Sequence, residues 1–317
     1  MPSMTSSHSR SPVLVTGMHR SGTSWVGSML CAGGDLINIG EPLNVLNRQT
    51  IFPKRVELWY AHITEENEAV FLPYYRDALA FKTHPLADLA RMRLGSPRDP
   101  GRIARRWGDF FLGRIQRRRL LIKDPFAVFS IDWFVRRLGC GVVVVVRHPV
   151  AVVSSLKRLG FAFDFENLLR QPSLMDGRLR RFRPAIEASL ESGDDVIGQG
   201  SLLWRIIYDS LEPPDVRIVR HEDLSLEPVT SCAELYAELG LEFTPEARAA
   251  IEASTSEKNP AEVSVRDPFK VRLASKTNLG NWERRLDRAE VERILEITGS
   301  VAARYYPEGL EALRPPA

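Results

Sequence analysis

Five valines in succession, Val142–Val146, constrain this chain more than any other feature. β-Branched side chains favour extended backbone, and a run without polar alternation has both strand faces buried. That pattern belongs at the centre of a parallel sheet with helices packed on either side. The run is far too short to cross a bilayer, and no purely apolar stretch in the chain is longer. It stops at Arg147-His148-Pro149, where Pro149 suits the first turn of a following helix. Three other short segments stop in the same way. Pro12–Thr16 runs into Gly17–Thr23, Leu120–Ile122 into Lys123-Asp124-Pro125, and Val216–Val219 into Arg220–Asp223.

Helical patterns lie between these segments. Apolar residues fall at helical spacing at Phe126, Phe129, Trp133, Phe134 and Leu138, and again from Leu202 to Leu211. A helix is also expected from about Ser24 to Ala32, and a last one from about Asp287 to Arg304. Strands alternating with helices predict an α/β fold, P-loop-like, with three α/β/α layers, a central parallel sheet and helical insertions. Ligands of such sheets lie beyond the carboxyl ends of the strands, where all four polar loops fall. The 317 residues are read as one domain, 1–317, with a helical insert over about 45–118. Ser96–Gly101 reads as a loop between insert helices, and Ser254–Lys276 as a polar segment before the last helix. The Ser-rich stretch over about 1–10 is expected to be disordered.

Hydrophobic residues are 44% of the chain and charged residues 26%, which argues against a disordered protein. A formal net charge of +3 is too even to demand nucleic acid, and Arg117-Arg118-Arg119 reads as a solvated helix end. Cys31, Cys140 and Cys232 are widely spaced and lack metal-ligand spacing, so neither a disulfide framework nor a metal centre is expected. The first residues contain no apolar stretch of signal-peptide length, and a cytoplasmic protein without integral membrane segments is expected.

Gly17-x-x-x-x-Gly22, after a strand and before a helix, has the layout of a phosphate cradle in which backbone N–H groups and a helix N-terminus meet an anion. A triphosphate-binding P-loop continues with Gly-Lys-Ser/Thr, whereas Gly22 is followed by Thr23 and Ser24. Positive charge comes from Arg20, whose planar guanidinium suits a phosphate or sulfate oxygen pair. A P-loop-type kinase or NTPase with a degenerate loop, and a non-catalytic nucleotide-binding protein, are the alternative readings.

Arg20-Ser21-Gly22-Thr23-Ser24-Trp25 resembles the 5′-phosphosulfate loop of the sulfotransferases that use 3′-phosphoadenosine-5′-phosphosulfate (PAPS). A second feature resembles the same family: an apolar strand ends in Arg147, and Ser155 lies eight positions later on the next helix. The resemblance implies that both side chains bind the 3′-phosphate. It also implies that His19, Arg20, Ser21, Gly22, Thr23, Ser24 and Trp25 bind the donor, with no metal. Ser275–Trp282 resembles the family's C-terminal nucleotide loop, with Lys276 in reach of a phosphate. Arg220–Leu224 resembles a Tyr-Glu-Asp-Leu segment with His221 in the tyrosine's place, and that histidine's role stays open.

Sulfuryl transfer needs a base for the acceptor proton and cations for the leaving charge. Lys82-Thr83-His84 resembles the Lys-Thr-His of small-molecule sulfotransferases, but it lies in the insert, so His84 is read as structural or substrate-facing. The slot before the Arg147 strand holds Lys123-Asp124-Pro125-Phe126, a form similar to protein-tyrosine, bacterial and glycan sulfotransferases. Those relatives carry a glutamate base soon after the first helix, which points to Glu41 between Gly40 and Pro42. Glu41 is therefore expected as general base, Lys123 as the cation on the transferred group, and Arg20 as a partner for the leaving charge. Asp124 either orients Lys123 or caps the following helix, with the cap favoured. The expected acceptor is a hydroxyl of a carbohydrate, a glycolipid or a small natural product. The insert aromatics Trp59, Tyr60, Phe71, Tyr74, Tyr75, Phe81 and Trp107 are read first as helix core and second as an acceptor pocket.

Overall fold

The computed structural model describes residues 11–47, 51–86, 88, 99–211, 216–262 and 272–313. The expected disordered stretch over 1–10 and the start of the Ser96–Gly101 loop lie outside them. Five strands form one parallel sheet: β1 (Val13–Gly17), β2 (Leu36–Asn38), β3 (Arg119–Lys123), β4 (Gly141–Val146) and β5 (Val216–Arg220), in the order β2-β3-β1-β4-β5. Val15 pairs with Lys123 on one side and Val143 on the other, so β1 sits at the centre. The chain leaves β1 toward β2 and later returns past β1 to β4. The carboxyl end of β1 is therefore the switch point where a crevice opens.

Strand alternation divides the apolar runs between two cores. Leu14, Ile122, Val144 and Val146 belong to the larger cluster on one face; Val13, Val15, Leu121, Val143 and Val145 belong to the cluster on the other. All five valines are buried, which is why the run shows no polar alternation.

Helices cover both faces. The first, α1 (Thr23–Leu30), begins immediately after Gly22. Within the insert region lie α2 (Leu72–Leu79) and α3 (Asp99–Gln116). The stretch from Phe126 to Leu138 is two elements rather than one: a 3₁₀ segment over Pro125–Ser130 and an α-helix over Ile131–Leu138. Pro149 does open a helix, Pro149–Leu159, as its N1/N2 residue. The last helix runs Arg288–Tyr305, with Asp287 and Glu290 forming a capping box. Residues 99–101, assigned to a loop from sequence, form the first turn of α3 with Pro100 inside it. The three cysteines are free thiols.

Most insert aromatics serve as core. Tyr60, Tyr75 and Phe81 are buried in the larger cluster, and Phe71 and Tyr74 pack against it. The Trp107 indole donates to Asp88.

Candidate functional site

The loop after β1 is shaped by two glycines. At Gly17 φ is 142°, and a Cβ there would come within 2.4 Å of the Val145 carbonyl oxygen. At Gly22 φ is 101°, and a Cβ would meet His221 Cδ2 at 2.5 Å. Arg20 also adopts a positive φ of 71°. Ser21 holds this turn from within: its hydroxyl donates to the Met18 carbonyl at 2.6 Å and its N–H to the same oxygen at 3.1 Å. Tyr208 supports it from below, its hydroxyl accepting the Met18 N–H at 3.1 Å and donating to Val145 O at 2.9 Å. Trp25 and Val26 both donate to the Gly22 carbonyl, and the N–H groups of Gly22, Thr23 and Ser24 have no partner among the described residues. Three such donors at a helix start suit an anion.

Arginines gather at this loop. Arg20 Nε donates to Ser155 Oγ at 3.2 Å, and Arg147 Nη1 donates to the Arg20 carbonyl at 3.3 Å. Arg20, Arg147 and Ser155, read from two separate motifs, are thus one constellation. Burial first, then Arg147, Arg158 and Arg285, hold the Arg20 guanidinium down at about 10. Arg147 is 8% exposed and its Nε has no hydrogen-bond partner among the described residues, and the buried Nε of Arg285 has none either. The carboxylates set against this cluster are Glu222 and Glu262. Glu262 pairs with Arg158 at 3.2 Å and Arg285 at 3.1 Å. Glu222 is fully buried, accepts the His148 N–H at 3.0 Å and the Tyr306 hydroxyl at 2.7 Å, and pulls electrostatically on Arg147. Buried guanidiniums with unpaired nitrogens, beside a helix N-terminus, fit a multiply charged anion.

His19 is held neutral, its pKa lowered to about 4 by burial and then by Arg20. Tyr60 Oη accepts the His19 N–H at 3.4 Å and lies 2.6 Å from its Nδ1. The phenol and the neutral ring share one short hydrogen bond at this distance. Phe126 flanks the same ring with centroids 6.0 Å apart, and Trp59 packs on Phe126 at 4.4 Å.

At the end of β3 a second group assembles. Lys123 Nζ forms an ion pair with Glu41, whose other carboxylate oxygen accepts from Asn44 Nδ2 at 2.6 Å. Asn47 Nδ2 donates to the Glu41 carbonyl at 2.9 Å. Asp124 caps the 3₁₀ segment by accepting the Phe126 N–H at 3.0 Å, and it accepts the Leu43 N–H at 2.6 Å. Both sides of the Glu41 turn are therefore fastened to β3. Asp124 is fully buried; burial first, then Glu41, raise its carboxyl from 3.8 to about 8. The Lys123 stem passes beneath α1 where Gly27 leaves room, since a Cβ there would lie 2.9 Å from Lys123 Cγ.

Several expected residues fall elsewhere. Lys276 is exposed; its N–H donates to Glu257 at 3.2 Å, and no contact joins its side chain to the loop. Arg285, a little further along the same C-terminal segment, reaches Ser154 Oγ at 3.3 Å instead. The Trp25 indole donates to Ser254 at 2.9 Å, which ties α1 to the helix Pro245–Thr255 in the same layer. His84 lies in the insert, 3.2 Å from Asp77, and has no recorded contact with Glu41 or Lys123. His221 packs over Gly22 with its pKa well below the ordinary value, through burial and then Arg147. Arg158, Arg285, Tyr208 and Asn44 were not anticipated, while Tyr60 was read only among the insert aromatics and Glu222 only as part of the Arg220–Leu224 segment; of the four, only Arg158 carried a signal, one helical turn beyond Ser155. Among the described residues no cluster of three or more His, Cys, Asp or Glu is placed to hold a metal.

The sulfotransferase family model matches residues 12–245 of the chain. No curated protein matches it in sequence. Among solved structures it is similar to mouse sulfotransferase SULT7A1 complexed with PAP, at 14% identity, covering 97% of this chain and 89% of that one with a TM-score of 0.46. It is also similar to the sulfotransferase domain of the curacin biosynthetic pathway, at 14% identity, 90% and 96% coverage and a TM-score of 0.44. A third is sulfotransferase STF1 from Mycobacterium tuberculosis H37Rv, at 16% identity, 92% and 77% coverage and a TM-score of 0.41.

Proposed function

Because the chain belongs to the sulfotransferase family, we propose that it transfers a sulfuryl group from PAPS to a hydroxyl of a carbohydrate or glycolipid, with Glu41 as general base. The observation that carries this reading is Arg147: a buried guanidinium with an unpaired Nε, bonded to the Arg20 carbonyl of the loop that fronts α1. A donor bearing phosphate at both ends of its ribose gives each cationic group an anion. The loop amides of Gly22, Thr23 and Ser24, with Arg20 and the His19 ring, would hold the phosphosulfate. Arg147, Ser155 and Arg285 would hold the 3′-phosphate. Residues 1–317 are read as one such domain, with 45–118 as its insert.

The chemistry assigned to the side chains balances. As the acceptor oxygen bonds to sulfur, its proton passes to a Glu41 carboxylate oxygen. The sulfur–oxygen bond to the donor's phosphate breaks, and the electron pair stays on that phosphate. Lys123 and Arg20 meet the charge as it develops, in a site partly shielded from water. Asn44 and the fastened turn hold the Glu41 carboxylate in one orientation.

The kinase reading loses support at Asp124. Among the described residues it is the closest strand-end candidate for a magnesium partner, and both its oxygens already accept backbone N–H groups. The test is calorimetric titration of adenosine 3′,5′-bisphosphate in the presence of a chelator, paired with transfer assays on Glu41→Gln. Metal-independent binding that the variant keeps, together with lost transfer, is expected. A magnesium requirement for binding would remove the donor, and wild-type turnover by the variant would remove the base.

A further inference from the structure

Helix α3 carries a second apolar face that nothing among the described residues covers. Its inward side is ordinary core: Ile103 and Phe110 are buried, and Gly113 lets Ile37 and Phe81 approach the backbone. The outward side repeats the same pattern. Ala104, Gly108, Phe111 and Ile115 are spaced along one stripe of the helix, with Leu112 beside it, and all five are exposed. Phe111 is 65% exposed, Ile115 62% and Leu112 43%. A polar face toward water is the rule for a helix half-buried in a soluble protein, so this stripe faces something other than water.

The charges around the stripe indicate what. Arg105 and Arg114 flank it and Arg117 follows it, all exposed. Arg105 lies 3.9 Å from Asp109, and Arg114 and Arg117 have no acidic partner among the described residues. From Phe110 to Arg119 the chain holds four arginines and no carboxylate. An apolar stripe edged by arginines, two of them without an acidic partner among the described residues, is the surface of a helix that lies in a lipid interface. A second copy of the chain fits poorly. Two-fold docking would set the arginine clusters against each other, and three side chains fall short of the ~1,000 Å² a stable interface needs.

We propose that α3 docks this protein on an anionic lipid surface, with Phe111, Leu112 and Ile115 entering the acyl boundary and Arg105, Arg114 and Arg117 in the headgroup layer. No described helix is long and apolar enough to cross a membrane, so the attachment is peripheral. The groove beside α3 gives the docking a purpose. Arg102, Arg105 and Arg106 line it opposite Ile37, Asn38 and Gly40 of the β2 edge, with Leu46, 70% exposed, at its lip. Gly40 immediately precedes Glu41. On the reading of Glu41 as base, on which this step alone rests, the acceptor is the hydroxyl of a lipid headgroup drawn from that surface.

The test is flotation of the full chain with vesicles of phosphatidylcholine alone or with phosphatidylglycerol mixed in, without nucleotide or acceptor. Binding to the anionic vesicles is expected to be about tenfold or more tighter. Replacing Phe111, Leu112 and Ile115 together by Ser should abolish it, and Arg114→Glu with Arg117→Glu should erase the preference for anionic lipid. All five side chains are exposed, so circular dichroism and the melting temperature should be unchanged. Equal or absent binding to the two vesicles overturns the proposal. So does concentration-dependent dimerisation, read by light scattering, that the Ser variants break, since the face would then be a protein interface. Neither result touches the Glu41 assignment, which the transfer assay reads separately.

Discussion

Lys123 and Glu41, 82 residues apart in sequence, meet as an ion pair at the carboxyl end of β3. The side chains are 11% and 18% exposed, so the pair is screened from bulk water but still reachable from the crevice. On the proposed assignment, base and cation are in contact before any substrate arrives. Proton uptake and charge compensation during transfer then occur within one hydrogen-bonded unit.

That contact predicts non-additive kinetics. Glu41→Gln and Lys123→Met should each lower kcat by about 10²-fold or more. If the two act as a unit, the double variant should be little worse than the poorer single variant. Independent, multiplicative losses in a steady-state assay would mean that the pair is structural and that the two residues serve separate steps.

Gly22 and Gly34 form a matched comparison. Both have positive φ, 101° and 88°, but a Cβ at Gly34 meets nothing within 4 Å, whereas one at Gly22 strikes His221. Backbone strain alone costs of order 1–3 kcal/mol, so both alanine variants should lose stability on that scale. Only Gly22→Ala should also lose affinity for adenosine 3′,5′-bisphosphate, by about tenfold or more, because it displaces the ring and the amides facing the anion. Equal affinities in the two variants would remove the loop from the binding site.

What the sequence disclosed, and what it withheld, follows from geometry. Strands β1, β3 and β4 were legible because burial on both faces leaves an uninterrupted apolar signature, and the edge strand β5, interrupted by exposed Arg217, because Val216, Ile218 and Val219 are β-branched. Strand β2 was not: three residues ending in exposed Asn38 are too short to show any period. The 3₁₀ segment Pro125–Ser130 was read as α-helix because periods of 3.0 and 3.6 cannot be told apart over six residues. Glu41 and Lys123 were each identified, yet their contact depends on β3 lying between β2 and β1, which no local pattern encodes. Asp124 was a cap from its position before Pro125, but its second bond, to Leu43, needed the fold.

Asp124 carries a pH prediction. A folded carboxyl raised from 3.8 to about 8 retains a proton that the unfolded chain has released. Stability from this group is therefore fully present at low pH and is lost as pH climbs through that window. Asp124→Asn removes the titration, and with one oxygen in place of two it leaves the Leu43 or Phe126 N–H unpaired, at a cost of ~1–3 kcal/mol. Urea melts should show the gap between wild type and Asn variant narrowing as pH rises across the window. A gap that widens would show that Asp124 is ionised throughout.

Histidines act in the opposite sense on the acid side. Burial lowers His19, His62 and His148 from 6.5 to about 4. Between those values the unfolded chain takes up protons that the folded one refuses, so stability falls as pH drops, by at most ~1.4 kcal/mol per pH unit for each imidazole. With His221, held well below 6.5 in the same way, these imidazoles outnumber the opposing raised carboxyls of Asp124, Glu222 and Asp223. The urea midpoint should therefore decline steadily below pH 6.5, with the three Cε1 proton resonances still those of neutral imidazole at the start of the decline. A midpoint that holds level down to about 4 would refute their burial as neutral rings.

The last prediction separates two basic residues of the C-terminal segment. The resemblance of Ser275–Trp282 to the family's C-terminal loop pointed to Lys276, a flexible ammonium beside Gly280-Asn281-Trp282. In the structure that side chain is exposed, while Arg285 lies inward with Ser154 and Glu262 as partners and a buried Nε without one. A charge-assisted bond to a phosphate is worth ~1.5–3 kcal/mol, so Arg285→Ala should weaken adenosine 3′,5′-bisphosphate binding by about tenfold to a hundredfold. Lys276→Ala should bind as wild type does. Arg285→Lys should recover little, because an ammonium cannot bond Glu262, Ser154 and a phosphate in the fixed fork that a guanidinium supplies. Calorimetry on the three variants decides the matter: an affinity that follows Lys276 rather than Arg285 would mean that this segment rearranges before the nucleotide is held.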